Sequence, residues 1–279
     1  MPVPFGFRNR LMAAVTAALL SLCGVARAEE PTKTLLHVAF DQRPVGPYDA
    51  TALHEDWGVE PSISSGVPQG RLEVVADPLN PKHHVLRVRY EAQSIGGDSA
   101  MNFRAPIEHG HTSVWFQYRV MFSSDFDWVK GGKLPGLGGG DFPTGCIKSG
   151  QFDGFTTRLM WRLEGRASSY LYYPGKTDAC GDDIPLGVTF ERNRWYTITQ
   201  QVILNDPGKA NGVLVQYIDG KHLKRFDHQV WRTGSAAGID GAKIETFFGG
   251  GSMDWAPQIA QYAFYDDFLI TTRSPLAER

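Results

Sequence analysis

The sequence predicts an all-β fold, an antiparallel β-sandwich. Short runs of β-branched and aromatic residues recur along the chain, and Gly, Pro, Asn or Asp bounds each of them. No helical pattern alternates with these runs, which argues against a parallel sheet with crossover helices. The 279 residues include 31 glycines and 17 prolines, a turn-rich composition. A sandwich of this length forms one domain, so residues 29–279 are predicted to be a single domain.

The strands follow from these runs in chain order. The predicted strands are 35–40, 71–76, 85–91, 99–104, 113–122, 155–163, 169–173, 194–204, 213–218, 243–248 and 262–272. Asp219-Gly220 predicts a hairpin turn after 213–218. Residues 131–140, GGKLPGLGGG, are predicted to be free of strand. They could be a flexible surface connection or a loop at the mouth of a binding cleft.

The N-terminus is typical of a secretory signal peptide. Arg8 and Arg10 precede an apolar stretch, 11–25, and Ala26-Arg27-Ala28 matches a cleavage site. The stretch is too short for a comfortable membrane span. We therefore expect residues 1–28 to be removed and the protein to be secreted or periplasmic.

Charge and composition exclude several classes of protein. A hydrophobic content of 42% excludes intrinsic disorder, and a net charge of −2 provides no basic surface for nucleic acid. No other segment is long and apolar enough for a membrane span. We expect a monomer with no nucleic-acid partner and, after signal cleavage, no membrane partner.

Three cysteines are present, and Cys23 leaves with the signal peptide. An oxidising compartment then favours a disulfide between Cys146 and Cys180. Two buried free thiols are the alternative.

Two neighbouring strands carry an unusual polar pattern. Side chains alternate between the two faces of a strand, so 155–163 has one largely apolar face. Its other face carries Thr156, Arg158, Met160 and Arg162. If 169–173 pairs with this strand, Tyr170 and Tyr172 lie on the same sheet surface as the arginines. Each feature alone is more often a packing or solvated group. Together, Arg, Lys and Tyr without paired carboxylates suit elimination from an anionic sugar.

Several sequence blocks resemble polysaccharide lyase family 14. They are Lys130-Gly-Gly-Lys133-Leu-Pro-Gly-Leu137, Gly154-Phe-Thr-Thr-Arg158-Leu-Met-Trp-Arg162 and Tyr170-Leu-Tyr172-Tyr-Pro174, followed by Phe247-Phe-Gly-Gly-Gly-Ser252, Trp255-Ala-Pro257 and Tyr265-Asp-Asp-Phe268. The similarity extends over about 113–272. It implies a β-jelly roll and lyase activity on a uronic-acid polymer of the alginate or glucuronan type.

The resemblance also implies roles for individual residues. Lys133, Arg158, Tyr170 and Tyr172 are the expected catalytic residues, and Thr156 and Arg162 the expected substrate-binding residues. At Thr156 the family often has serine. Arg158 would neutralise the uronate carboxylate, and its charge should lower the pKa of both lysine and tyrosine. Either Lys133 or a tyrosine could then be the base. No redox cofactor and no metal is required.

Two other classes of protein remain compatible with a β-sandwich. A carbohydrate-binding module or lectin could use Trp115 or Trp255 to stack on sugars, and a glycoside hydrolase could use carboxylates brought together only by folding. The predicted partner in all three cases is a polysaccharide, and for the lyase an anionic one.

Overall fold

A computed structural model describes residues 1–2 and 33–276. The predicted signal peptide, apart from its first two residues, lies outside the described residues, and so does Cys23. All described strands belong to one compact unit, Thr32–Arg279. Among the described residues, no helix is long and apolar enough to cross a membrane.

The described part of the chain contains fifteen strands and one α-helix. They are β1 Thr34–Val38, β2 Gly46–Pro47, α1 Ala50–Trp57, β3 Leu72–Asp77, β4 Asn80–Tyr90, β5 Met101–Pro106, β6 Ser113–Phe122, β7 Gly131–Gly140, β8 Gly154–Arg162, β9 Arg166–Tyr172, β10 Asp182–Thr189, β11 Trp195–Ile203, β12 Gly212–Ile218, β13 Lys221–Gln229, β14 Gly241–Phe248 and β15 Gln261–Thr271. Short 3₁₀ turns lie at Pro61–Ile63, Gly97–Ser99, Leu163–Gly165 and Met253–Trp255.

The strands form two antiparallel sheets, which confirms the all-β prediction of a jelly-roll sandwich. Nine strands make the larger sheet, in the order β13-β12-β11-β6-β15-β4-β3-β2, with β1 also paired to β15. Six strands make the smaller sheet, in the order β10-β9-β8-β7-β14-β5. The strands that carry the arginines and tyrosines pair with each other, which meets the condition set in the sequence analysis: Arg158 lies opposite Tyr170 and Thr156 opposite Tyr172.

An aromatic core fills the space between the sheets. Trp161 of β8 packs edge-on against Phe122 of the larger sheet and Phe248 of β14, at centroid distances of 5.6 and 5.2 Å. Trp161 is fully buried, so the predicted apolar face of β8 is confirmed along most of its length. Leu163 is the exception. It falls in the 3₁₀ turn after β8, and its side chain is 49% exposed.

The prediction that 131–140 is free of strand is wrong. This segment is β7, a central strand paired with β8 on one side and β14 on the other. A Cβ at Gly132 would overlap the Trp161 ring, and one at Gly136 would overlap the Thr157 carbonyl. Glycine is unfavourable in most strands. Here its lack of a side chain lets these neighbours approach the β7 backbone closely.

The short strand β2, the strand β10 and the helix α1 had no sequence prediction. The strand β10 has the sequence DDIPLGVT, in which Asp, Pro and Gly mask the β pattern. The helix α1 begins after Asp49, whose side chain accepts a hydrogen bond from the Ala52 N–H at 2.9 Å, and ends at Gly58 in the left-handed conformation. The predicted hairpin turn at Asp219-Gly220 is confirmed, since it joins β12 to β13.

Candidate active site

A cleft of about 420 Å³ opens on the face of the smaller sheet that points away from the core. Strands β5, β7, β8, β9 and β14 form its floor. The side chains that line it include Asp98, Asn102, Lys133, Arg158, Tyr170, Tyr172, Lys243, Glu245 and Phe247, with Cys146 and Cys180 among the loop residues. Four predicted catalytic residues, from three different strands, therefore meet in one cleft.

Lys133 lies in the glycine-rich strand β7 and is only 7% exposed. Its Nζ donates to the Met160 sulfur at 2.9 Å and lies 3.6 Å from the centre of the Tyr170 ring. Burial lowers the pKa of this amine well below its usual value, and the positive charge of Arg158 lowers it further, against the opposing charge of Glu245. Burial and the charge of Arg158 thus favour the neutral amine, the form that can accept a proton, over the ammonium.

Arg158 is 2% exposed and holds an ion pair that the sequence did not predict. Its Nη1 donates to Glu245 Oε2, a carboxylate on β14. Its Nε is buried and has no hydrogen-bond partner among the described residues. The guanidinium carbon lies 5.6 and 5.5 Å from the centres of the Tyr170 and Tyr172 rings. Part of the guanidinium fork is thus occupied by Glu245, and part remains available for another acceptor.

Glu245 also connects the cleft to a second lysine. Lys243 Nζ lies 3.5 Å from Glu245 Oε1 and donates to the Asn102 side-chain oxygen at 3.3 Å. Burial lowers the pKa of Lys243, while Glu245 raises it. The floor of the cleft thus holds one buried carboxylate, Glu245, beside one arginine and two lysines, Lys133 and Lys243. In the sequence of β14, the charged residues Lys243 and Glu245 are two positions apart among mostly apolar residues. This spacing was a signal that both side chains lie on one face of the strand.

Tyr170 and Tyr172 share one face of β9, as predicted, and their hydroxyl oxygens are 3.4 Å apart. The Gly181 N–H donates to the Tyr170 hydroxyl at 3.1 Å, and the Cys146 N–H to the Tyr172 hydroxyl at 3.3 Å. The expected lowering of the tyrosine pKa is wrong for Tyr170. Burial raises its pKa well above the usual value, the hydrogen bond with Tyr172 raises it further, and the opposing effect of Arg158 is smaller.

The disulfide between Cys146 and Cys180 is present, as predicted. It joins the loop after β7 to the loop before β10. These two loops supply the N–H groups that bind the tyrosine hydroxyls. The disulfide therefore holds both donors beside the cleft.

The two predicted substrate-binding residues lie outside the cleft. Thr156 shares the cleft face of β8, but it is fully buried and its hydroxyl donates to the Pro143 carbonyl at 3.0 Å. Arg162 lies at the end of β8, where its Nε is 3.2 Å from Asp183 Oδ2 and its guanidinium faces the Trp255 ring at 5.0 Å. Arg162 lines a second, neighbouring pocket.

Within residues 1–2 and 33–276, no group of three or more His, Cys, Asp or Glu side chains is arranged to hold a metal ion. His109 Nδ1 contacts Asp240 Oδ1 at 3.1 Å.

Comparison with known proteins identifies the class of protein. The chain matches the family model described as Polysaccharide lyase 14 over residues 79–268, more than half of its length. That range contains all four strands that carry the charged and tyrosine side chains of the cleft. The protein is thus a polysaccharide lyase with a jelly-roll fold. It belongs to polysaccharide lyase family 14.

Solved structures share this fold. Alginate lyase Aly36B has a TM-score of 0.74 at 23% identity, covering 88% of this chain and 98% of its own. A variant of Aly36B has been solved in complex with an alginate tetrasaccharide. The PL-14 alginate lyase of Aplysia kurodai has a TM-score of 0.70 at 22% identity, covering 86% of this chain and all of its own.

A curated relative is the exolysin of Paramecium bursaria Chlorella virus 1. It is 26% identical over 195 residues, which is 58% of this chain. The match spans only 30% of the exolysin itself.

Proposed function

We propose that this lyase cleaves a uronic-acid polymer by β-elimination, with Lys133 as the base and the tyrosine pair as the acid. One observation carries the proposal: a desolvated lysine lies 3.6 Å from the ring of a tyrosine whose pKa burial raises, in a cleft that also contains Arg158. The neutral amine and the protonated phenol are the forms that proton removal and proton donation require.

The reaction removes the proton on C5 of a uronate and breaks the bond from C4 to the glycosidic oxygen. A neutral Lys133 accepts the C5 proton, and the electron pair released forms the C4–C5 double bond as the oxygen departs. Negative charge builds up on the uronate carboxylate during proton removal. Groups that bind this charge more strongly in the transition state than in the ground state increase the rate.

Arg158 is the proposed residue that stabilises the negative charge on the uronate carboxylate. Arg158 lines the cleft, and Glu245 occupies only the Nη1 position of its guanidinium, so its remaining N–H groups can donate to a carboxylate oxygen. Asn102 and Lys243, on the opposite wall, extend the set of donors and cations around the same space. A planar, permanently charged guanidinium is well suited to a carboxylate.

The tyrosines are the proposed source of the proton for the departing oxygen. At neutral pH Tyr170 is a phenol rather than a phenolate, because burial raises its pKa. Its hydroxyl contacts that of Tyr172, so either tyrosine can donate and the other can resupply the proton. The sequence left the base open between Lys133 and a tyrosine; the opposite pKa shifts of Lys133 and Tyr170 favour Lys133.

Alginate is the first substrate to test, because two structural neighbours are alginate lyases, and glucuronan is the second. Elimination creates a conjugated unsaturated uronate, so incubation with the true substrate should increase ultraviolet absorbance together with reducing ends. New reducing ends without absorbance would indicate a glycoside hydrolase. Binding without cleavage of either polymer would indicate a lectin-like protein. Either result would contradict the proposal.

The tyrosine pair can be tested by removing one hydroxyl at a time. Tyr170→Phe and Tyr172→Phe keep the ring and its packing, and at least one is expected to lower kcat by about 10²-fold or more, the usual range for an acid–base group. Tyr173→Phe is the matched control. Its hydroxyl donates to Asp182 at 2.6 Å and its ring packs on Trp231, away from the cleft. Parental turnover in both cleft variants would exclude the tyrosines as the acid.

We also propose that the protein is exported as a monomer after removal of residues 1–28. The disulfide between Cys146 and Cys180 supports this location, because disulfides persist in oxidising compartments.

A further inference from the structure

A second pocket, of about 370 Å³, lies beside the cleft on the same face of the smaller sheet. Strands β8, β9 and β10 form it, and Arg162, Arg166, Ala167, Ser168, Asp183 and Pro185 line it. None of these residues lines the cleft itself.

The two pockets are separated by a single row of side chains. Lys133, Met160 and Ser168 lie opposite one another on β7, β8 and β9. Lys133 lines the cleft, Ser168 lines the second pocket, and the buried Met160 lies between them in contact with Lys133. A polymer that crosses the cleft along β8 and β9 therefore reaches the second pocket next.

The second pocket offers donors suited to an anionic sugar. The Arg162 guanidinium is ion-paired with Asp183. Arg166, by contrast, is 58% exposed, and its ion pair with the exposed Glu164 is long, at 3.7 Å. Ser168 is 2% exposed, and its hydroxyl is buried with no hydrogen-bond partner. A buried hydroxyl without a partner costs free energy, which a bound hydroxyl or carboxylate would recover.

Trp255 adds an apolar surface at the same end of the cleft. Its ring is half-buried, faces the Arg162 guanidinium at 5.0 Å and packs against Gly250, which lines the cleft. An indole ring is a large, rigid apolar surface. The C–H groups of a sugar ring can stack on it while the polar groups of the sugar form hydrogen bonds with the donors beside it.

We propose that this pocket is a subsite for a second uronate of the same polymer chain, with Arg166 and Ser168 as its main carboxylate and hydroxyl donors. The inference rests on the proposed function, since Arg158 would bind the reacting uronate. Arg158 and Arg162, which line the cleft and the second pocket, are four residues apart on β8, about 13 Å by strand rise, so the two pockets would hold different sugar rings. The subsite makes binding depend on oligomer length.

The test measures binding of oligouronates, from disaccharide to hexasaccharide, of both mannuronate and glucuronate. Calorimetry is done in a Lys133→Ala background, which should bind without cleaving. Affinity is expected to rise with length. Adding Arg166→Gln should lower the affinity for the longest oligomers by about ten-fold, with little effect on the disaccharide. Ser168→Ala should lower the affinity for the same long oligomers by a smaller factor. Added salt should reduce the increase in affinity with oligomer length.

Arg225→Gln in the same background is the control, because Arg225 is 50% exposed, ion-paired to Asp227, and lies on β13 of the other sheet. It should bind every oligomer as the background does. If Arg166→Gln also binds every length like the background, or if affinity does not rise with length, the subsite is overturned. Failure of the proposed function is a separate result: the unmodified protein would then form no unsaturated uronate, whatever the calorimetry gives.

Discussion

Replacement of Lys133 by alanine is expected to lower kcat by about 10²–10⁴-fold, the range for loss of a general base. Lys133→Arg should be as severe, because a guanidinium keeps the positive charge but cannot give up its proton at any relevant pH. Steady-state turnover on the polymer that the parent cleaves measures both effects. Lys130→Arg is the control, since Lys130 lies three residues earlier and is an exposed partner of Asp254. Its turnover should match that of the parent.

The pH profile gives an independent measure of the same base. The reaction needs the unprotonated amine, so kcat/KM should increase with pH until Lys133 is largely neutral. Burial lowers its pKa, so the plateau should begin well below the pH of about 10.4 at which an ordinary lysine is half-neutral. A profile still rising steeply at that pH, or full activity in Lys133→Arg, would exclude Lys133 as the base.

Glu245→Gln is expected to lower the free energy of unfolding by about 3–5 kcal/mol, as for removal of one partner from a buried ion pair. The glutamine keeps the size of the side chain but removes its charge. Arg158 and Lys243 then remain in the cleft floor without their shared carboxylate. Denaturant unfolding of the parent and the variant gives the difference directly.

Glu73→Gln provides a matched control on the other sheet. Glu73 pairs with Arg87 between β3 and β4, but both side chains are more than a third exposed. Solvent screens such a pair, so its loss should change stability by no more than about 1 kcal/mol. If Glu245→Gln unfolds at the same denaturant concentration as Glu73→Gln, then Glu245 is not the main counter-charge of Arg158.

Local alternation in the sequence was sufficient to predict the two polar strands. Arg158 and Tyr170 lie on the cleft face because side chains two residues apart point the same way in any strand. The pairing of their strands was only a condition in the sequence argument, and the structure fulfils it. The disulfide was predictable as well, since only Cys146 and Cys180 remain once the signal peptide is excluded.

Other parts of the cleft depend on residues far apart in the sequence. Glu245 contacts Arg158 across 87 positions, and no local pattern pairs them. Lys133 was expected in a loop, because ten residues rich in glycine have low intrinsic β preference. It lies in a central strand because its neighbours β8 and β14 supply backbone hydrogen bonds and leave no room for larger side chains.

The sequence by itself determined the all-β class, the family resemblance and the side chains available for chemistry, because these depend on residue type and on spacing within single strands. Only the tertiary structure decided their ionisation. Tyr170 was expected to lose its proton easily beside Arg158, yet its pKa is raised, because burial outweighs the neighbouring charge. The same burial lowers the pKa of Lys133. Desolvation depends on how completely the sheet and its loops enclose each group, and that is a property of the folded chain alone.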